Sequence, residues 1–216
     1  MIRVHHLNMS RSQRILWLLE ELGVPYEVVR YQRDAKTNLA PPELKAIHPL
    51  GKSPVIEDDG KIISETGAIA EYLVRAHPKG SFSAPSEQQT FWLHYAEGSA
   101  MPPLVMYLVF SRMPDRVPFF LRPVARMIVK GAIDGFVLPQ VKTHMAFWED
   151  ALAKQEWFGG AEISAADVLM SFPVQAVAAR FGVSDYPRLG AFLKRVEERP
   201  AYKRALETGG PFSLLQ

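Results

Sequence analysis

The sequence predicts a mixed α/β unit followed by an all-helical one. Short β-branched and aromatic runs alternate with an amphipathic helical stretch in the first third of the chain. A segment rich in Gly, Pro and Ser, HPKGSFSAPSE at 77–87, then interrupts the pattern. Beyond it the apolar spacing is helical, with no convincing strand. Domains are therefore expected at 1–78 and 87–216, joined by a linker at 79–86.

IRVHHL reads as the first strand. SRSQRILWLLEELG follows, with Ile15, Leu16, Leu18, Leu19 and Leu22 at helical spacing and Gly23 as a stop. Pro25 punctuates, and YEVVRY is a second strand. This order predicts a parallel pair with a crossover helix. Residues 34–52 are irregular apart from a short helical piece near PPELKAI, where the prolines suit a helix start. Val55-Ile56 and Ile62-Ile63 flank the turn signal Asp58-Asp59-Gly60, giving a hairpin. A helix at 66–77 closes the unit. The order βαβ then ββα predicts a four-stranded mixed sheet with helices packed on it.

In the rear part, EQQTFWLHYAEGSAMPPLVMYLVFSRM is helical with a kink at Met101-Pro102-Pro103. Residues 124–153, SAADVLMSFPVQAVAARFG, YPRLGAFLKRVEERP and AYKRALETG carry further helical patterns. Ser164 and Asp167 form an S-x-x-D capping box, a stability element.

With 216 residues, 48% of them hydrophobic and 22% charged, the chain has the balance of a soluble globular protein and room for a core. A net charge of +2 is too small to argue for nucleic acid. The absence of cysteine excludes disulfides, thiolate-bound metal and a cysteine nucleophile. MIRVHHLNMS has no signal-peptide core, and no apolar run reaches the roughly 18 residues of a membrane span. The expectation is a cytoplasmic protein with no membrane span.

The chemistry concentrates at HPLGKSPVIEDDGKIISETGAIAEYL, residues 48–73. Pro54 stands at the mouth of the hairpin strand, where it cannot donate to a ladder. A cis bond there would re-aim the chain and turn the backbone of Val55 toward an extended peptide ligand, as an edge strand does. Glu65-Thr66 opens the next helix, whose free N–H groups and positive dipole end suit a carboxylate. The Thr66 hydroxyl adds a donor, and Glu65 can accept from an ammonium. Together these groups would read an amino acid's two charges and the peptide bond beside them.

On these residues the chain resembles the glutathione transferase family. LGKSPVIEDDGKIISETGAIAEYL is similar to that family's glutathione-binding segment, with Glu65-Thr66 where the usual pair is Glu-Ser or Asp-Ser. The resemblance extends to SRSQRILWLLEELGVPYEV, the linker and FGGAEISAADVLMSFPV. RDAKTNLAPPELKAIHPLGKSP is most similar to serine-type fungal and bacterial members. The resemblance implies a thioredoxin-like front domain, an all-α rear domain, glutathione as cosubstrate and a homodimer. No metal is implied.

That family must generate a thiolate. A thiol of pKa about 8.5 is mostly protonated at neutral pH, and lowering it by about 2 units requires roughly 2.7 kcal/mol of preferential thiolate stabilisation. A hydroxyl donor and a helix N-terminus can supply much of it. Ser10, between the first strand and the first helix, matches the serine-type position, with Arg14 four residues on. Ser12 is the rival; both serines also suit simple helix capping. Lys52 is placed near the glycyl carboxylate by the resemblance, against a solvated surface lysine. Glu97 is in the region from which an acid in relatives reaches across the dimer; a surface or interface salt bridge is the alternative.

Met106, Tyr107, Phe110 and Met113 follow near-helical spacing and would line an apolar electrophile pocket, or pack in the core. His48 is given a structural role. His5 and His6 alternate along the first strand, so one should face inward, packed or hydrogen-bonded. Arg112, Arg116, Arg122, Arg126 and Lys130 make 112–130 basic. A solvated helix face is the plain reading, with an anionic substrate or a membrane-surface contact as alternatives.

Two functions follow. One is a glutathione S-transferase that directs the thiolate at an apolar electrophile or organic hydroperoxide, a detoxification chemistry. The other is a glutathione-binding, non-catalytic interaction protein of the same fold.

Overall fold

The first strand, β1 (Ile2–Leu7), is β-branched and almost wholly buried, so it must have neighbours on both sides. A computed structural model that describes residues 1–210 shows them. β2 (Tyr26–Tyr31) lies parallel to β1, from Ile2 opposite Tyr26 to Leu7 opposite Tyr31. β3 (Val55–Asp58) runs antiparallel on the other side, and β4 (Lys61–Ser64) completes the hairpin. The four strands stand in the order β2-β1-β3-β4, the expected mixed sheet.

The crossover between β1 and β2 is α1 (Ser12–Leu22), which ends at Gly23 in the left-handed region (φ 68°). A short α2 (Glu43–Ile47) precedes the hairpin, and α3 (Thr66–Ala76) follows it. Val4, Ile15, Leu19, Ile56, Ile69 and Leu73 form the core between sheet and helices. The front unit is thioredoxin-like, and every element after it is helical among the described residues.

These rear helices are α4 (Glu87–Tyr95), α5 (Met101–Arg112), α6 (Arg122–Ala132), α7 (Leu138–Lys154), α8 (Ala165–Phe181), α9 (Pro187–Glu198) and α10 (Pro200–Gly209). Pro102 and Pro103 sit in the first turn of α5, where missing N–H groups cost little. A π-helical segment at Ala96–Ala100 leads into α5, immediately before the Met101-Pro102-Pro103 stretch. α8 is buried along most of its length and tolerates Pro173 inside it.

α1 is enclosed from three directions. It packs on α3 within the front unit and on α8 and α10 of the rear. Trp17 is fully buried and meets Tyr202 edge-on, with ring centroids 5.2 Å apart. Glu21 accepts from the Trp17 indole at 2.8 Å and pairs with Arg199.

The expected box at α8 forms around the Asp167 carboxylate, which is fully buried. It accepts from Phe158 N–H (2.6 Å), Ser164 N–H (2.9 Å) and the Ser164 hydroxyl (3.0 Å). Burial pushes its pKa up to about 6 against the pull of these hydrogen bonds. Gly159 lies so close that a Cβ there would stand 2.1 Å from Ser164 Oγ. Replacing Asp167 by Ala strands buried donors and removes the cap. We expect a loss of about 2–4 kcal/mol in urea unfolding; a loss under about 0.5 kcal/mol would show the box to be dispensable.

Candidate functional site

Ser10, Ser12 and the loop before Pro54 meet at the C-terminal end of β1. The Ser53–Pro54 peptide bond is cis. It ends the β1–β3 ladder at the pair His5–Val55, so β1 runs on past its partner. The Ser53 side chain takes over the pairing: its hydroxyl donates to His5 C=O (2.8 Å) and accepts from Leu7 N–H (3.3 Å).

Val55 does not have the free backbone of an edge strand. β3 is an interior strand, with His5 opposite Val55 on one side and Ser64 on the other, and Val55 is only 1% exposed. The hairpin adds β3 to β1, which leaves β4 at the edge. Two residues earlier, the Ser53 N–H and C=O make no hydrogen bond among the described residues. The signal for Ser53 in the sequence is its place immediately before Pro54.

Glu65 occupies φ 72°, ψ 125°, a region that non-glycine residues adopt at a cost of roughly 1–3 kcal/mol. This turn brings Thr66, Gly67 and Ala68 to the head of α3, where no side chain caps their N–H groups. Thr66 is buried and Glu65 exposed, so a donor arriving from solvent meets the Glu65 carboxylate first. Lys52 is exposed and makes no ion pair among the described residues. His48 hydrogen-bonds Ser64 Oγ at 3.1 Å, a structural role across the loop.

Ser10 and Ser12 both enter one buried chain. Ser10 Oγ lies 2.7 Å from Ser12 Oγ, Ser12 Oγ lies 2.9 Å from His6 Nδ1, and His6 Nε2 lies 3.0 Å from Gly209 C=O. Ser10 Oγ also accepts from Ser12 N–H at 3.3 Å, and Ser12 Oγ approaches Leu7 C=O at 3.4 Å. A carbonyl only accepts, so we assign the His6 proton to Nε2. Burial holds His6 below its ordinary pKa, the hydrogen bond to Gly209 opposing it, so the neutral ring presents Nδ1 as an acceptor. Ser12 then donates to His6, and Ser10 donates to Ser12.

Ser12 has no exposed surface, whereas Ser10 keeps 5%. Both histidines are buried, where one was expected: His5 faces the opposite side of the sheet and meets Tyr31 OH at 2.9 Å. Both faces of β1 are covered, so alternation does not sort them into inside and outside.

Arg14 is buried and donates to Leu169 C=O (2.7 Å), to Glu97, and lies over the Phe172 ring. Arg11 pairs with the other Glu97 oxygen at 2.7 Å. Burial pushes the Glu97 carboxyl up, but Arg14 and Arg11 together outweigh it and hold it below the ordinary range. Both Glu97 oxygens are thus engaged by arginines of its own chain, beside the first turn of α1.

Met106, Tyr107 and Phe110 are half-buried and packed on the core, and Met113 is exposed. Of the four, only Tyr107 lines a groove of about 370 Å³, with Pro114, Leu138, Phe181 and Arg126.

The family model for the glutathione S-transferase N-terminal domain matches residues 1–75, and that for the glutathione S-transferase C-terminal domain matches 121–209. Glutathione S-transferase 1 of Saccharomyces cerevisiae is 37% identical, over 95% of this chain and 94% of its own. Glutathione S-transferase 3 of Schizosaccharomyces pombe is 36% identical, over 96% and 87%. The crystal structure of a glutathione S-transferase from Actinobacillus pleuropneumoniae superposes with a TM-score of 0.78 at 31% identity, covering 99% of this chain and 95% of that one. Two domain models in order, relatives aligned along nearly the whole length and a shared fold place this chain in the glutathione S-transferase family.

Proposed function

We propose that the protein is a serine-type glutathione transferase in which Ser10 activates the thiol and His6 receives its proton. The observation that carries this reading is the meeting of Ser53 and the hydroxyl chain at Leu7. Its N–H is held by Ser53, next to the cis proline, and its C=O stands 3.4 Å from Ser12 Oγ, whose proton goes to His6 and which is one hydrogen bond from Ser10. A peptide edge and a hydroxyl chain thereby share one end of β1. Glutathione lies along this end with its cysteinyl amide on the free Ser53 backbone, the role first given to Val55. Its α-carboxylate meets the N–H groups of Thr66, Gly67 and Ala68, its ammonium meets Glu65, and its glycyl carboxylate approaches Lys52.

The hydrogen-bond directions define the proton transfer. The incoming thiol donates to Ser10 Oγ. The thiol proton passes to Ser10, the Ser10 proton to Ser12, and the Ser12 proton to His6 Nδ1. The product is a thiolate accepting from Ser10 and a cationic His6 held by Gly209 C=O; burial disfavours that cation, and the negative charge of the thiolate at the other end of the chain offsets it. The thiolate attacks an apolar electrophile, forming the S–C bond as the leaving group departs. With an organic hydroperoxide it attacks oxygen and releases the alcohol, and a second glutathione reduces the glutathione sulfenic acid to disulfide and water. Tyr107 and its groove support an apolar second substrate. Action in the cytoplasm and as a homodimer, with Glu97 bound within its own chain rather than crossing, belongs to the same reading.

One observation favours the non-catalytic alternative. While His6 is neutral, the donors run inward, and Ser10 offers sulfur an acceptor only. If the chain never reverses, bound glutathione stays a thiol and the protein is a passive binder.

Ultraviolet titration of the thiolate separates the two. In the wild type, bound glutathione should titrate about 2 units below the free thiol. Ser10→Ala should raise that value by about 1–2 units and lower kcat about tenfold to a hundredfold, with KM for glutathione nearly unchanged. A wild-type value no lower than free glutathione would establish the passive binder.

His6→Gln and Ser12→Ala should each raise the bound thiol pKa as Ser10→Ala does, although both side chains are buried. The double variant should be no worse than the weaker single one, because one chain is cut in either place. Additive losses would show separate structural roles.

A further inference from the structure

Met9 and Asn38 both stand in the left-handed region, at φ 51° and φ 59°. Neither is glycine, so each conformation needs support from outside the residue. Met9 immediately precedes Ser10, and its turn sets where the Ser10 hydroxyl points. One side chain meets both residues. The Arg33 guanidinium donates from Nε to Asn8 C=O (3.2 Å), from Nη2 to Met9 C=O (3.4 Å) and from Nη1 to Asn38 C=O (3.1 Å). The Arg33 backbone N–H also donates to Asn8 Oδ1 at 2.8 Å. The first two carbonyls belong to the two peptide bonds that lead into Ser10.

The third carbonyl belongs to a loop that is closed on itself. Asp34 Oδ1 accepts from Lys36 N–H (3.1 Å), Thr37 N–H (2.7 Å) and the Thr37 hydroxyl (2.8 Å). The Asp34 N–H donates to Leu39 C=O, and its C=O accepts from Asn38 N–H. The Asp34 carboxylate thus serves its own turn, and Arg33 makes no ion pair among the described residues. A half-buried arginine bonded to three carbonyls is used for its geometry. The planar fork fixes several acceptors in set directions, which a lysine ammonium does not do.

We propose that Arg33 is a positioning residue for thiol activation, holding the Asn8–Met9 turn so that Ser10 Oγ stays in line with Ser12 Oγ. The inference rests on the reading of Ser10 as the partner of the thiol. Without Arg33, Met9 relaxes toward the commoner backbone regions and carries Ser10 with it. The 2.7 Å bond from Ser10 to Ser12 is the entry to the proton path. A shift of about 1 Å there breaks the alignment that proton transfer needs. None of the Arg33 hydrogen bonds goes to Ser53, Lys52, Glu65 or the head of α3, so the groups assigned to hold glutathione are spared.

The test is ultraviolet titration of saturating glutathione on the full chain, with steady-state kinetics on chlorodinitrobenzene. Arg33→Met should raise the bound thiol pKa by about 0.5–1 unit and lower kcat about threefold to tenfold, with KM for glutathione within about twofold. Arg33→Lys should stay close to Arg33→Met, because it keeps the charge and loses the fork. In a Ser10→Ala background, Arg33→Met should move the bound pKa no further. A wild-type bound pKa in Arg33→Met would overturn the proposal; if that variant does not fold, the same result in Arg33→Lys would. Full rescue by lysine would also overturn it, since charge alone would then suffice. So would an undiminished effect in the Ser10→Ala background, since Arg33 would then act elsewhere. A wild type that leaves the bound thiol at the pKa of free glutathione removes the Ser10 reading and this one with it. A lowered wild-type value that Ser10→Ala raises keeps that reading, and a failure then belongs to Arg33 alone.

Discussion

The first turn of α1 is buried, and its polar groups have almost no water to bond with. Burying such groups unpaired costs several kcal/mol in total, so the surrounding elements must supply partners. Ser10 and Ser12 find each other and His6; Arg14 finds Glu97 and the Leu169 carbonyl. The partners come from β1, from the π-helical segment after α4, and from α8. The arrangement of the site thus serves most of the polar groups of one buried helix start, Gln13 Nε2 and Arg14 Nε being left without a partner among the described residues.

The same constraint joins the two halves of the chain. α1 belongs to the front sheet by connectivity and to the rear helices by packing. His6, near the beginning, is oriented by the carbonyl of Gly209, at the end of α10. A Cβ at 209 would stand 2.1 Å from Gln13 Oε1, so a larger residue there would have to displace the Gln13 side chain. A histidine fixed at both ring nitrogens has one usable tautomer, which gives the hydroxyl chain a direction. The front unit alone would contain the serines without the group that orders them.

The order of elements was legible in the sequence because each has a local cause. Gly23 stops α1 with a left-handed residue, Asp58-Asp59-Gly60 turns the hairpin, and Ser164 and Asp167 open α8. Pro54 announced its special peptide bond. The strain at Glu65 had no such signal, since a positive φ at glutamate follows from where the hairpin delivers the chain to α3. Residues 124–153 read as one helical pattern, and the structure divides them into α6, a π-helical segment at Ile133–Val137 and α7, because periodicity marks a helix without marking where its hydrogen-bond register shifts.

The sequence by itself determined the α/β-then-α architecture, the sheet connectivity and the segments that carry the candidate site, because turns, caps and periodicity are properties of neighbouring residues. The tertiary structure decided which atoms that candidate site presents. It moved the free peptide edge from Val55 to Ser53, because the strand after the cis proline is paired on both sides. It enclosed Glu97 between Arg11 and Arg14. It also linked Ser10 to His6 and Gly209, through hydrogen bonds among residues that lie far apart along the chain and meet only when α10 closes on β1.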